Sequence, residues 1–181
     1  MNFIIAQILG IVMAVVSVVC VQFKNMRHIL IGVIASNVLS ALTYAFLGGL
    51  SGAGVCILAI CQAVLVYVYG EKEKAFPALL NLGFIAGYIA LSVISYKSIW
   101  DVLSAGAAVL YALAVVQKKA SVYRILTMCN AIVWILYDVQ TMAYTAIITH
   151  GILLIATWVA MIRLDYPHLL RRNGSGEEKA Q

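Results

Sequence analysis

Two short sets of side chains have the types and spacing to hold a solute. Asn37, Ser40 and Tyr44 stand at i, i+3 and i+7, and Asn130, Trp134 and Tyr137 at i, i+4 and i+7. Each set lies along one face of a helix. Amides would hydrogen-bond a polar solute, and Trp134 and the tyrosines would stack on it. The same asparagines could instead bond neighbouring helices, at about 0.6 kcal/mol per bond. Both readings stand at this level. Two further polar residues, Gln62 and His150, fall in apolar surroundings. Histidine titrates near physiological pH and could relay protons. His150 has no carboxylate at helical spacing, so a packed neutral imidazole is the plainer expectation. Gln62 reads as structural glue. Asp138, the one acid inside an apolar run, sits at the run's end and is expected to be hydrated, with a coupling-ion role as the alternative.

These residues need elements to position them, and the composition says which. Of the 181 residues 64% are hydrophobic and 10% charged, against about 25% charged in soluble domains. That leaves too few charges to cover a water-soluble globule. Seven apolar runs can be marked: Phe3–Val21, Ile29–Leu47, Gly52–Tyr69, Phe76–Ser95, Ile99–Val116, Val122–Val139 and Met142–Leu164. Each is about long enough for a helix to cross a hydrocarbon core of about 30 Å. Helices are expected because lipid offers an open backbone no partner. The break at Gln140–Thr141 is the weakest, so six spans is the alternative count. Met1–Val21 lacks a preceding Lys or Arg and a clean cleavage site, and reads as a retained first span rather than a signal peptide.

The bases give a direction. Lys24 and Arg27 follow the first run, Lys72 and Lys74 the third, Lys118, Lys119 and Arg124 flank the fifth, and Arg163, Arg171, Arg172 and Lys179 follow the seventh. Only Lys97 falls on the other side. Cytoplasmic loops carry the basic excess, so the N-terminus is expected outside and the C-terminus inside. The net charge of +5 is read as membrane-edge charge, not as a nucleic-acid surface. The arginines after the last run could also meet anionic head groups, at about 1 kcal/mol each.

An internal echo arranges the runs. Asn37 and Tyr44 recur 93 residues later as Asn130 and Tyr137. Gln22-Phe-Lys24 and Gln117-Lys-Lys119 end the first and fifth runs. Residues 1–70 would form one three-helix repeat, 71–97 a linker helix, 98–165 a second repeat, and 166–181 a polar cytoplasmic tail. The linker helix makes the repeats parallel, a known transporter plan with substrate near the midplane between them. Its Gly83 and Gly87 form a small-xxx-small face suited to close packing.

The stretches Lys24–Arg27 through Gly48–Gly52, and Trp134–Tyr137 with Ala160–Asp165, resemble the YgjV-like family of bacterial inner-membrane proteins. That family is similar to the SWEET and PQ-loop proteins, which implies a 3+1+3 arrangement with the N-terminus outside. The relatives' Pro-Gln motif appears here only as Val21-Gln22 and Val116-Gln117. No proline falls mid-span, since Pro77 and Pro167 are at edges. The family resemblance implies fold more than activity.

Chemistry beyond binding finds little support. There is no Gly-rich phosphate loop, HExxH, GxSxG or pair of acids, so no enzyme, metal or cofactor is expected. Cys20, Cys56, Cys61 and Cys129 lie in or beside apolar runs and read as small packed residues. The leading expectation is a multi-pass inner-membrane carrier for a small polar solute, held by Asn37, Tyr44, Asn130, Trp134 and Tyr137. A non-transporting scaffold, or an assembly or lipid-associated protein, is the runner-up. A membrane enzyme acting on lipid head groups is the third reading. The expected partners are the lipid bilayer and a small polar solute. Self-association is compatible with so wide an apolar surface, though no dimer face stands out.

Overall fold

The computed structural model describes residues 2–46, 50–96, 98–140, 142 and 144–166, with side chains for all of these except 2, 3, 50, 51, 144 and 145. Lys97, Arg171, Arg172, Lys179 and Pro167, and all but the first residue of the expected tail, lie outside the described residues. Within them the chain forms seven helices and no strand: α1 Asn2–Cys20, α2 Met26–Phe46, α3 Leu50–Glu71, α4 Ala78–Ile94, α5 Asp101–Val115, α6 Ala120–Gln140 and α7 Tyr144–Leu164. Each grows from one apolar run. Four contain stretches long and apolar enough to cross a membrane: Met26–Phe46, Gly52–Glu71, Ala120–Gln140 and Ala146–Leu164. α4 and α5 are apolar but shorter, as is the stretch Ile4–Cys20 within α1.

Local chemistry ends the helices where the polar breaks fall. Before α2, Asn25 Oδ1 accepts the backbone N–H of Arg27 at 3.0 Å, a side-chain cap for an otherwise orphaned donor. After α3, Glu73 takes a left-handed φ of 55°. The N–H of Glu73 then reaches Gly70 O and that of Lys74 reaches Tyr69 O, the paired closure that stops a helix. Met142, also at φ 55°, turns the chain between α6 and α7. The weakest break in the sequence is therefore a real one.

α1, α2, α3, α5, α6 and α7 form a ring, each packed on the next, and α7 closes back on α1. α4 lies against both α3 and α5 where those two meet. The main apolar core fills one end of this ring. Cys20 ends α1 and Val21 follows it, Ile29, Leu30 and Val33 lie early in α2, and Val115 ends α5; all are buried there with Tyr123. The described basic residues of the helix-connecting segments lie at this same end. A second, smaller core joins α4 to its neighbours through Ala59, Phe84, Tyr88 and Ala112.

Helix contacts follow residue size. A Cβ on Gly32 would collide with Cys20, so α1 and α2 can touch only because position 32 is glycine. Gly87 approaches Leu58, whereas Gly83 has open space around its missing side chain. The expected small-xxx-small face of α4 is thus used at one of its two glycines.

The surface is inverted relative to a water-soluble protein. Ile11 on α1 is 66% exposed and Ile155 on α7 is 62% exposed. Gln62, Arg124, Asp138 and Thr157 are buried inside. Apolar side chains face out because the surrounding medium is itself apolar, and polar ones turn in to find partners.

Candidate functional site

A cavity of about 520 Å³ occupies the ring. It runs from Val21 and Tyr123 at the basic end to Tyr44 and Tyr137 at the other. Asn37, Tyr44, Asn130, Trp134 and Tyr137 all line it, as does His150. Gln62 does not. It lies behind the wall, where Nε2 donates to Asn81 Oδ1 at 2.8 Å and Oε1 accepts the Tyr88 hydroxyl at 3.0 Å.

The two asparagines meet different partners. Asn37 Nδ2 donates to Val33 O at 2.8 Å and to the Tyr111 hydroxyl at 3.1 Å. The second bond joins α2 to α5. Asn130 Nδ2 donates to Ala107 O, joining α6 to α5. α5 is therefore the element against which both amides are set. Nothing in the sequence singles out Tyr111, because one tyrosine in an apolar run is ordinary.

At the other end of the cavity the aromatic residues form a connected group. The Trp134 and Tyr137 rings meet edge to face at 5.7 Å. The His150 imidazole stacks on Trp134 at 5.6 Å with an interplanar angle of 12°. Tyr137 donates its hydroxyl to Asp101 Oδ1 at 3.2 Å. The other oxygen of Asp101 takes the N–H of Ser98 at 2.8 Å and orders the entry to α5.

Asp138 departs from expectation. It is 3% exposed rather than hydrated, and its Oδ2 lies 2.7 Å from His150 Nδ1. His150 thus has a carboxylate partner, on α6 rather than on its own helix. Helical spacing within one run could not reveal a pair that forms between two helices. The usable signal was coarser: one acid and one histidine in adjacent apolar runs, each costly to leave alone.

Arg124 is the second departure. Its place among the bases suggested an edge charge, yet it lies in the second turn of α6 and is fully buried. Nε donates to Val21 O at 3.0 Å, Nη2 donates to Phe23 O, and Nη1 meets both oxygens of Asp165 at 2.8 Å. One guanidinium thereby ties the ends of α1 and α7 to the start of α6. Gln22 adds a tie from its Nε2 to Ala156 O at 2.8 Å. Packed core and these ties lie at this end of the cavity. At the other end Tyr44 is 43% exposed.

No group of three or more His, Cys, Asp or Glu residues among those described could hold a metal ion. The four cysteines are free; Cys20 and Cys56 are buried, while Cys61 and Cys129 are on the exposed outer surface rather than packed.

An all-helical ring with an apolar exterior and a polar, aromatic interior defines an integral membrane protein. The chain belongs to the YgjV-like family: the family model Imp-YgjV, described as bacterial inner membrane protein, matches residues 4–167. Its place is the bacterial inner membrane. No curated protein and no solved structure matches it.

Proposed function

We propose that this protein is a seven-span carrier for a small polar solute, with its site in the cavity between two three-helix repeats. The observation that carries this reading is convergence. Five residues marked by an internal sequence echo and by helical spacing line one cavity. Its size is within the range of about 300–1,000 Å³ typical of small-ligand sites.

The repeat has support in the ion pairs. Arg27, at the start of α2, meets Glu71, at the end of α3, at 3.1 Å. Arg124, near the start of α6, meets Asp165, just past α7, at 2.8 Å. In both triplets the second helix is clasped to the end of the third, and the second helix packs between the other two. The described bases gather at the end where these clasps lie, which supports a cytoplasmic assignment for it. The cavity would then face outward, closed below by the Arg124 tie. A rocking of one triplet against the other would have to break that tie.

The runner-up is a packed, non-transporting protein. It draws on one observation: both asparagine amides already donate to α5.

Flux separates the two. In the expected result, purified protein in liposomes speeds the osmotic reswelling driven by at least one small polar solute, and N37L/N130L abolishes the gain. Rates equal to those of protein-free liposomes for polyols, sugars and amino acids alike would favour the packed reading.

A further inference from the structure

The aromatic half of the cavity has a chemistry of its own. Among the described residues no Lys or Arg lines it, and its acid is Asp138. Tyr44, Trp134 and Tyr137 supply π-faces. Deeper in, the Asn37 and Asn130 nitrogens are engaged as donors. Their oxygens accept no hydrogen bond within the described residues. The site is thus rich in acceptors and π-faces and poor in free positive charge, which disfavours anions.

Among the described lining residues, His150 is the one whose side chain can carry a positive charge. When protonated, its imidazolium sits against Asp138 Oδ2 at 2.7 Å and flat on Trp134 at 5.6 Å. A carboxylate and an indole face within about 6 Å of the cation are what recognise an organic ammonium. An entering ammonium would need the same carboxylate and the same indole.

We propose that this half of the cavity binds a small organic cation in exchange for the proton of His150. The inference rests on the carrier reading, since the cavity must be reached from water. The exchange balances: imidazolium gives its proton to water, neutral imidazole remains, and the bound ammonium restores the lost charge. No covalent bond to the solute forms or breaks. The groups that face His150 fit this. Asp138, Tyr137 and Trp134 come from α6 and Tyr44 from α2, while Asp101 of α5 is reached through Tyr137. From α1 the titratable lining group is Cys20, at the far end of the cavity. The sign follows: protonation competes with the solute, so the cation binds more tightly as pH rises.

The probe is choline, whose quaternary nitrogen carries no exchangeable proton. Its control is dimethylbutanol, the neutral carbon isostere. Titration calorimetry of the full chain in detergent, in two buffers of different ionisation heat, reads binding and proton release together. Wild type is expected to bind choline at least about tenfold more tightly than the isostere, a difference of about 1.4 kcal/mol. It should release up to one proton per choline, and binding should weaken as the buffer is made more acid. H150Q should bind choline without proton release and without that pH dependence, and D138N should lose at least about tenfold. Equal binding of choline and isostere, or no choline binding by wild type, overturns the cation assignment. Proton release that persists in H150Q overturns the exchange. Neither conclusion depends on D138N folding. An N130C protein whose four native cysteines are replaced, treated with a water-soluble maleimide, keeps failure of this inference distinct: labelling without choline binding sinks the cation alone, whereas no labelling sinks the cavity reading too.

Discussion

Asn37 Nδ2 donates to the Tyr111 hydroxyl at 3.1 Å, so a residue of α2 bonds one of α5 at the cavity wall. Interhelical bonds in a membrane average about 0.6 kcal/mol. Y111F keeps the ring and removes the hydroxyl. It should lower the unfolding free energy in detergent by about that amount, and the N37A/Y111F double mutant should lose less than the sum of the two single losses. A double-mutant cycle checks this; fully additive losses would mean that the two residues do not share a bond.

The two clasps should differ sharply in energy. The side chains of Arg27 and Glu71 are 51% and 44% exposed, whereas that of Arg124 is fully buried. An exposed pair is worth about 0–1 kcal/mol. Removing one partner of a buried pair costs about 3–5 kcal/mol, because the other charge is left uncompensated. R124A also strands the carbonyls of Val21 and Phe23. Equilibrium unfolding should therefore place R124A several kcal/mol below R27A.

Gln62 should matter to stability and not to access. Q62L leaves the Tyr88 hydroxyl and the Asn81 amide without their bonds, at about 1–3 kcal/mol. Labelling of a cysteine at position 130 should be unchanged, since Gln62 does not line the cavity. A change in labelling without a loss of stability would contradict this placement.

Tyr44 rests on Gly52, where a Cβ would come within 2.8 Å of its ring. G52V should cost about 1–3 kcal/mol by overpacking. In a Y44A background the cost should shrink, and thermal unfolding of the four proteins reads the coupling.

Much of the fold was legible because it is set by runs of like residues. Each apolar run became a helix, and the breaks held even at Gln140–Thr141, where Met142 turns the chain. The site residues were legible as faces, since Asn37 with Tyr44 and Asn130 with Tyr137 are spaced along single helices. What stayed hidden depends on pairs between helices. Asp138 looked hydrated and His150 alone because neither run shows the other. Arg124 looked like an edge charge because two of its partners, the carbonyls of Val21 and Phe23, are backbone atoms that leave no trace in residue type, and the third, Asp165, lies just past the end of another helix. Tyr111 gave no signal at all.

The central claim is that the seam between the triplets is a water-filled passage. A cysteine at position 130, in a chain whose four native cysteines are replaced, tests it most directly. A membrane-impermeant maleimide is applied to inner-membrane vesicles of each orientation. The account predicts labelling from the face opposite the basic end, and its suppression by a solute that the protein carries. Protection from both faces, under every condition tried, would contradict it and make the seam a packed one.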